Sequence, residues 1–382
     1  IDPRPRGPRI HPPARCAIVR CLNPLPGAPE ADRILVVRLG AVGDVVRTLP
    51  AASALRAAYP GSHLAWLVER ASASLLRAQP WLDEVIEFPR EELRDALRRG
   101  RLLAAGRTAR RFARGLRRRG FELVVDFHGI LKSGALAAAS GARVRASYAR
   151  PYARELSWLF ANERAALWPP RASRFERNDA LVRFLGVSAP AAAQPLRVDA
   201  ERLRRIEGEL GAGPPPVAIH PGTSDSTPHK RWNAAGYAAV ARTLHAKRGV
   251  RSVITVGPAR DDRAFAEAVV AESAGAAALA PATPSLADLA ALFARSRLYI
   301  GSDTGPMHVA SLVGTPVLQL LGPTDPVENA PWTGTPSRTL RIPVACSPCR
   351  RGCAAALCMQ LHAPDAVARE ALALLASHGG GC

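Results

Sequence analysis

Residues 303–308, with the sequence Asp-Thr-Gly-Pro-Met-His, have the composition of a phosphate-binding turn. They follow an apolar stretch that predicts a buried strand. Thr304 can cap a helix whose first turn contains Pro306, and Gly305 lets a ligand approach the backbone closely. Free N–H groups at a helix start suit a diphosphate, and His308 can add a donor. A plain strand–helix junction with a capping threonine would have the same pattern.

A second turn strengthens the prediction of a nucleotide diphosphate site. Another apolar stretch leads into Thr223 and Ser224, followed by Lys230. Hydroxyls and backbone N–H groups there could hold phosphate oxygens, with the lysine as a point charge. Only three of the 52 Lys and Arg residues are lysines, and one is here. After the predicted strand 252–256, Asp261 lies where a carboxylate could hold a ribose hydroxyl.

Residues in the first half could serve a second substrate. Asp44 follows the predicted strand 34–37 within a glycine-bearing turn. It could cap a helix, or it could remove the proton from an attacking hydroxyl as a general base. His128 and Lys132 follow another apolar strand. They could bind an anionic acceptor group, but a lysine at a helix start in solvent would look the same.

Strands alternate with helical patterns along the chain, which predicts an α/β fold with parallel sheets. The predicted strands are 34–37, 64–68, 85–88, 122–127, 217–220, 252–256, 298–302 and 316–321. Prolines interrupt the pattern in residues 189–216, the expected linker. We expect two Rossmann-like domains facing a central cleft, an N-terminal one at 34–188 and a C-terminal one at 217–382. Residues 1–33 are expected to be a disordered or loosely packed extension.

The net charge of +20 predicts attraction to polyanions. Residues 98–119 contain ten arginines on a helical pattern. This helix could present a solvated face or could dock on anionic lipid headgroups. No apolar stretch reaches about 18 residues and no signal-peptide core is visible, so a cytoplasmic location is expected. No aromatic residues alternate with the arginines, and no nucleic-acid partner is predicted.

A cysteine cluster lies near the end of the chain. Its members are Cys346, Cys349, Cys353 and Cys358. Four thiols at short spacing could bind zinc in a reducing compartment, or could remain reduced in a packed tail. The spacing differs from the usual zinc patterns, so no metal is assigned.

The chain resembles the lipopolysaccharide heptosyltransferases of glycosyltransferase family 9. The matching segments are RLGAVGDVVRTLPA (38–51), DFHGILKS (126–133), HPGTSDSTPHKRW (220–232) and IGSDTGPMHVASLVGTPVLQLLGPTDP (300–326). The resemblance implies a GT-B fold and an inverting transfer from ADP-heptose to the anionic lipopolysaccharide inner core. It implies neither a metal nor another cofactor, and it implies action at the inner face of the inner membrane, with peripheral membrane contact.

By position, the resemblance makes Asp44 the catalytic base. It makes a larger set the nucleotide-sugar contacts: Thr223, Ser224, Lys230, Asp261, Asp303, Thr304, Gly305 and His308. The segment 126–133 is similar to enzymes that add the first heptose, whereas the cysteine-rich tail is similar to those that add the second. The acceptor step therefore stays open. Two alternatives are a GT-B enzyme using another sugar nucleotide and a basic polyanion-binding protein.

Overall fold

The computed structural model describes residues 9–11, 19–169, 171–187, 196–349 and 352–378. Contacts between Cα atoms divide the chain into two compact units. The N-terminal unit is Cys16–Arg197, and the C-terminal unit is Val198–Cys382 together with Ile1–Arg15. Among the described residues, no helix is long and apolar enough to cross a membrane.

The N-terminal unit is built on a parallel six-stranded sheet. The strands of the whole unit are β2 (Arg20–Cys21), β3 (Arg33–Val37), β4 (His63–Glu69), β5 (Glu84–Phe88), β6 (Leu123–Asp126), β7 (Val144–Tyr148), β8 (Glu163–Ala165) and β9 (Leu167–Trp168). The sheet order is β5-β4-β3-β6-β7-β8, and β2 pairs with β9 separately. Its helices are α1 (Val42–Val46), α2 (Leu49–Ala58), α3 (Arg70–Arg77), α4 (Arg90–Arg98), α5 (Leu102–Arg118), α6 (Leu131–Ala139) and α7 (Arg174–Phe184).

The C-terminal unit has a seven-stranded sheet. Its strands are β1 (Arg9–His11), β10 (Val217–His220), β11 (Ser252–Ile254), β12 (Ala277–Leu279), β13 (Leu298–Ser302), β14 (Val317–Leu321) and β15 (Ser337–Arg341). The order is β1-β15-β14-β13-β10-β11-β12, with β1 antiparallel to β15 and the other pairs parallel. Its helices are α8 (Ala200–Leu210), α9 (Ala234–Arg248), α10 (Asp262–Glu272), α11 (Leu286–Ala294), α12 (Gly305–Leu312), α13 (Leu357–Gln360) and α14 (Pro364–His378).

The central strands are buried on both faces, which explains why their sequences are continuously apolar rather than alternating. In β3 the four residues Ile-Leu-Val-Val are buried, and every residue of β13 and β14 is buried. Helices cover these strands because each crossover between parallel strands needs one. The turns after the strands are therefore left at the carboxyl edge of each sheet, where ligands of such folds bind.

The α/β prediction is confirmed, and the eight predicted strands are found within about two residues of their expected ends. Within the two large sheets, the strands β1, β7, β8, β12 and β15 were not predicted, and neither was the separate pair of β2 and β9. Polar residues interrupt β7 and dominate β15, and β8 and β12 have only three residues each, so none of these four strands shows a long apolar run. These strands lie toward the sides of their sheets, where burial on both faces is not required.

Three expected segments differ in the structure. The supposed extension 1–33 contributes β1 to the C-terminal sheet and β2 to the N-terminal unit. The expected linker 189–216 contains α8, which Asp199 caps by accepting a hydrogen bond from the backbone N–H of Arg202. The single arginine-rich helix expected at 98–119 begins only at Leu102, because residues 99–101 separate it from α4.

Candidate functional site

Asp44 is held by three arginine side chains in the N-terminal unit. It lies in the first turn of α1, but the N-cap position belongs to Ala41, so the alternative role as N-cap is wrong. Arg47 and Arg174 lie 2.7 and 2.9 Å from its Oδ1, and Arg38 pairs with its Oδ2. Burial opposes ionisation, yet the three guanidinium groups hold the pKa of this carboxyl well below its usual range. Asp44 is therefore a fixed, fully ionised carboxylate at neutral pH.

His128 follows the carboxyl end of β6, where its imidazole interacts electrostatically with the Asp44 carboxylate. Asp126 fixes the turn: its Oδ1 accepts the His128 backbone N–H at 2.8 Å, and its Oδ2 accepts the Ser133 hydroxyl at 2.8 Å. Burial, followed by the positive charge of Arg38, lowers the pKa of His128 to about 3. The imidazole is consequently neutral and can act as a hydrogen-bonding group toward a substrate, but it supplies no positive charge.

Lys132 is engaged by an acid that the sequence did not single out. Its Nζ lies 2.8 Å from Oε1 of Glu69, and the ring of Phe88 lies 5.2 Å away. Arg90 binds the other carboxylate oxygen of Glu69. The structure thus places an Arg–Glu–Lys cluster at the carboxyl ends of β4 and β5. An anionic acceptor group would meet two cations there whose charge is partly offset by one carboxylate.

In the C-terminal unit, Asp303 brings two of the predicted site residues together. Lys230 Nζ lies 3.0 Å from its Oδ2 and 3.2 Å from its carbonyl oxygen. His308 Nε2 lies 3.6 Å from its Oδ1, and the hydroxyl of Thr324 donates to Oδ2 at 2.8 Å. The carboxylate of Asp303 is almost fully buried, with 6% of its side chain exposed. One oxygen of this carboxylate is thus bound by both Lys230 and Thr324, which fixes the position of the lysine ammonium.

Helix α12 begins next to this cluster, as the sequence predicted. Thr304 occupies the N-cap position and Pro306 lies in the first turn, but the threonine side chain makes no capping hydrogen bond. The backbone N–H groups from Gly305 onward therefore have no side-chain acceptor at the N-cap. Such groups form a ready anion site, because the helix dipole adds a partial positive charge.

The turn that contains Thr223 lies beside the start of α12, because β10 and β13 are neighbours that pair His220 with Gly301. The Thr223 hydroxyl is buried and has no hydrogen-bond partner within the described ranges. The Ser224 hydroxyl contacts other hydroxyls of its own turn. The threonine thus presents an unused buried donor near the carboxyl edge, whereas the serine is exposed.

The acid that is buried against the Gly257 turn is Asp262, not Asp261. Asp261 is exposed and makes no capping bond at the start of α10. Asp262 is 2% exposed and pairs with Arg231 at 2.6 Å. A Cβ on Gly257 would lie 2.2 Å from its Oδ2, so glycine is required for the close approach. Asp262 thus ties the Gly257 turn and the Arg231 segment together, while Asp261 keeps a side chain free to reach a ligand.

The four clustered cysteines line one cavity of about 90 Å³, together with His229. Burial, followed by the neighbouring thiols, raises the pKa of Cys358. In the parts of the chain that the structure describes, which omit 350 and 351 in this segment, no three His, Cys, Asp or Glu side chains are placed to hold a metal ion.

Five charged residues that form ion pairs around the predicted positions were not predicted from the sequence: Arg38, Arg47, Glu69, Arg174 and Asp262. The first two flank Asp44 in the quoted segment 38–51, and their spacing could have suggested a carboxylate partner. Arg174 is 130 residues from Asp44 in the chain, and no local signal connects them.

The chain is similar in sequence to several known proteins. The sequence model of glycosyltransferase family 9 (heptosyltransferase) matches residues 109–358. Lipopolysaccharide heptosyltransferase 1 of Pseudomonas aeruginosa is 30% identical over 327 residues, which cover 83% of this chain and 86% of that protein. Lipopolysaccharide heptosyltransferase 3 of Escherichia coli is 26% identical over 299 residues, covering 76% and 84%.

Two solved Escherichia coli structures share the fold. ADP-heptose lipopolysaccharide heptosyltransferase II has a TM-score of 0.70 at 21% identity, covering 91% of this chain and all of that one. A heptosyltransferase solved with ADP also has a TM-score of 0.70, at 23% identity, covering 90% and 99%. The GT-B prediction is confirmed by these likenesses. The chain belongs to glycosyltransferase family 9 (heptosyltransferase) and is a glycosyltransferase.

Proposed function

We propose that the protein transfers heptose from ADP-heptose to a hydroxyl of the lipopolysaccharide inner core, with inversion at the anomeric carbon. The observation that carries the proposal is the meeting of Lys230, Asp303 and the start of α12 at one edge of the C-terminal sheet. Relatives named lipopolysaccharide heptosyltransferase, and a similar structure solved with ADP-2-deoxy-2-fluoro heptose, support the choice of sugar.

The C-terminal unit is proposed to bind the donor. The diphosphate lies against the N–H groups at Gly305 and Thr304, with the ammonium of Lys230 beside it. The ammonium has three donors, and Asp303 uses two of them, so one remains for a phosphate oxygen. Thr223 and Ser224 supply hydroxyls to the same anion.

Two further residues complete the proposed donor site. The exposed Asp261 holds a ribose hydroxyl. His308, next to the Asp303 carboxylate, assists as negative charge develops on the departing ADP. The site needs no metal to bind the leaving group, because the lysine and the helix start already supply positive charge.

The N-terminal unit is proposed to bind the acceptor. As the hydroxyl oxygen attacks the anomeric carbon, the bond to ADP breaks and ADP leaves with the electron pair. The attacking hydroxyl becomes strongly acidic as the new C–O bond forms, so even a weakly basic carboxylate can take its proton. Asp44 is the carboxylate that takes this proton, and its arginines hold it in place. His128 and Lys132 contact the polar, anionic part of the sugar acceptor.

Two wider aspects belong to the same proposal. The acceptor lipid would be met at the inner face of the inner membrane, with the protein in peripheral contact from the cytoplasmic side. A different sugar nucleotide remains the second candidate, because a diphosphate site does not read the sugar. The sugar nucleotide that the enzyme accepts as donor distinguishes the two candidate functions. Family membership as a glycosyltransferase disfavours a protein that only binds polyanions.

The test is incubation with ADP-heptose and truncated inner-core acceptors, followed by mass analysis of the product. One added heptose is expected, with little product from ADP-glucose or UDP-sugars. Asp44→Asn should lower kcat by about 10²- to 10⁴-fold and leave ADP affinity within about twofold. The matched control is Asp95→Asn, an exposed aspartate on α4. Near-normal turnover of the Asp44 variant would remove its catalytic role, and product from another donor alone would overturn the heptose assignment.

A further inference from the structure

The helices α4 and α5 form a hairpin that extends beyond the N-terminal sheet. At the base, the ring of Phe112 packs edge-on against Phe88, the last residue of β5, at 5.6 Å. At the far end of α5, Arg119 Nε binds Glu84 Oε1 at 2.8 Å, at the start of the same strand. Helix α5 therefore runs antiparallel to β5, and its first turns lie past the carboxyl edge. From Phe112 to Leu103 this amounts to about 14 Å at 1.5 Å per residue.

The connection between the two helices exposes apolar side chains. Leu97, Leu102 and Leu103 are 56%, 69% and 81% exposed. Single exposed leucines are common, but three within seven residues at a projecting tip are not accounted for by packing against the residues that the structure describes. We call residues 97–103 the hairpin tip.

The tip lies within an arginine-rich sequence. Between Leu97 and Arg111 there are six arginines and no acidic residue. All six are exposed: Arg98, Arg99, Arg101, Arg107, Arg110 and Arg111. Exposed leucines surrounded by arginines favour a surface that is apolar in its interior and anionic at its boundary, because the arginine stems can lie along apolar surface while their charges stay at the headgroups.

We propose that the hairpin tip docks on a bilayer containing anionic phospholipid. The leucines enter the boundary between headgroups and acyl chains, and the arginines bind lipid phosphates. The tip projects from the same edge of the N-terminal sheet that carries Asp44 and Lys132, so docking turns this edge toward the lipid surface. The proposal rests on the peripheral membrane contact of the proposed function and names the surface that makes it. Its test contains neither donor nor acceptor, so its failure leaves the proposed transfer untouched.

The test is co-sedimentation of the full chain with vesicles of phosphatidylcholine containing about one third phosphatidylglycerol, compared with phosphatidylcholine alone, at physiological ionic strength. Binding to the anionic vesicles is expected, with weak binding to the neutral ones. The triple variant Leu97→Ser, Leu102→Ser, Leu103→Ser should bind at least about tenfold more weakly. Arg98→Gln, Arg99→Gln, Arg101→Gln should also lose at least about tenfold, since each arginine near such a surface is worth about fivefold.

Matched controls exist in the same chain. Leu22→Ser with Leu361→Ser removes leucines that are 65% and 47% exposed elsewhere. The charge-matched control replaces three exposed arginines of the C-terminal unit by glutamine: Arg204, Arg248 and Arg260. Both controls should bind vesicles within about threefold of the unsubstituted protein, because neither alters the tip. Thermal melting checks that every variant is folded.

Several results would overturn the proposal. If the leucine variant binds like the unsubstituted protein while the arginine variant does not, the attachment is adsorption of a polycation. If the arginine variant instead loses binding to a short DNA duplex and the vesicles are not bound, the face serves nucleic acid. If light scattering shows a dimer that the leucine variant dissociates, with unchanged vesicle binding, the tip pairs two chains.

Discussion

Replacing Lys230 by methionine removes the ammonium but keeps a similar side-chain length. In the structure this ammonium donates twice to Asp303 and has one donor left for a phosphate oxygen. A hydrogen bond to a charged group contributes about 1.5 to 3 kcal/mol. The variant should therefore bind ADP about 10- to 160-fold more weakly.

Asp303 provides a sharper test through a double-mutant cycle. With the ammonium between them, a phosphate oxygen and the Asp303 carboxylate would lie about 6 Å apart, and at an effective dielectric of about 20 two such charges repel by about 3 kcal/mol. In Lys230→Met that repulsion is no longer screened by the ammonium. The loss of ADP affinity should consequently be smaller, by about 1 to 3 kcal/mol, when Asp303→Asn is already present.

Isothermal titration calorimetry with ADP measures all four proteins of the cycle. Lys247→Met is the matched control, since this third described lysine is exposed on α9 and should leave ADP affinity unchanged. Thermal melting separates a loss of binding from a loss of folding. Lys230→Met is expected to stay folded, because Asp303 keeps its hydrogen bond from Thr324. An ADP affinity of Lys230→Met within about twofold of the unsubstituted protein would refute the placement of the diphosphate.

Three further outcomes are expected. Gly257→Ala should lower the free energy of unfolding, measured in urea, by about 1 to 3 kcal/mol, because the new Cβ would lie 2.2 Å from Asp262 Oδ2. The control Gly61→Ala should be nearly neutral, since no atom lies within 4 Å of the Cβ position there. Equal effects of the two substitutions would contradict the requirement for glycine at position 257. Burial, followed by the charge of Arg231, lowers the pKa of His220 to about 4 in the folded protein. The unfolded chain protonates His220 below about pH 6.5, so the free energy of unfolding falls as the pH drops from 6.5 toward 4. His220→Gln should reduce this loss of stability by about 3 kcal/mol at pH 4. Parallel curves of stability against pH for the two proteins would contradict the prediction. Arg174→Gln should raise the pKa of Asp44, since one of three guanidinium groups is lost while burial remains, and the acidic limb of kcat/KM should move to higher pH; an unmoved limb would argue against Asp44 as the proton acceptor.

The sequence determined the local parts of the site. A strand, a glycine and a helix-starting proline are encoded within a few residues, and this is why the turns at Gly305 and Thr223 could be predicted. The position of Lys230 was predicted for a similar reason, since it stands out in a chain that uses arginine almost everywhere. The order of motifs then indicated the family.

Only the tertiary structure decided how the charged groups are paired. Asp303 binds a lysine 73 residues away, and Asp44 binds an arginine 130 residues away. The first contact arises because β10 and β13 are neighbours in a parallel sheet, and the second because α7 packs beside α1 and α2, and no periodicity in the sequence records either. The same reason explains why Asp262, rather than its exposed neighbour Asp261, became the buried acid. The sequence thus determined which turns have the glycine, proline and hydroxyl residues proposed to bind an anion, whereas the fold decided which carboxylates pair with the cations there.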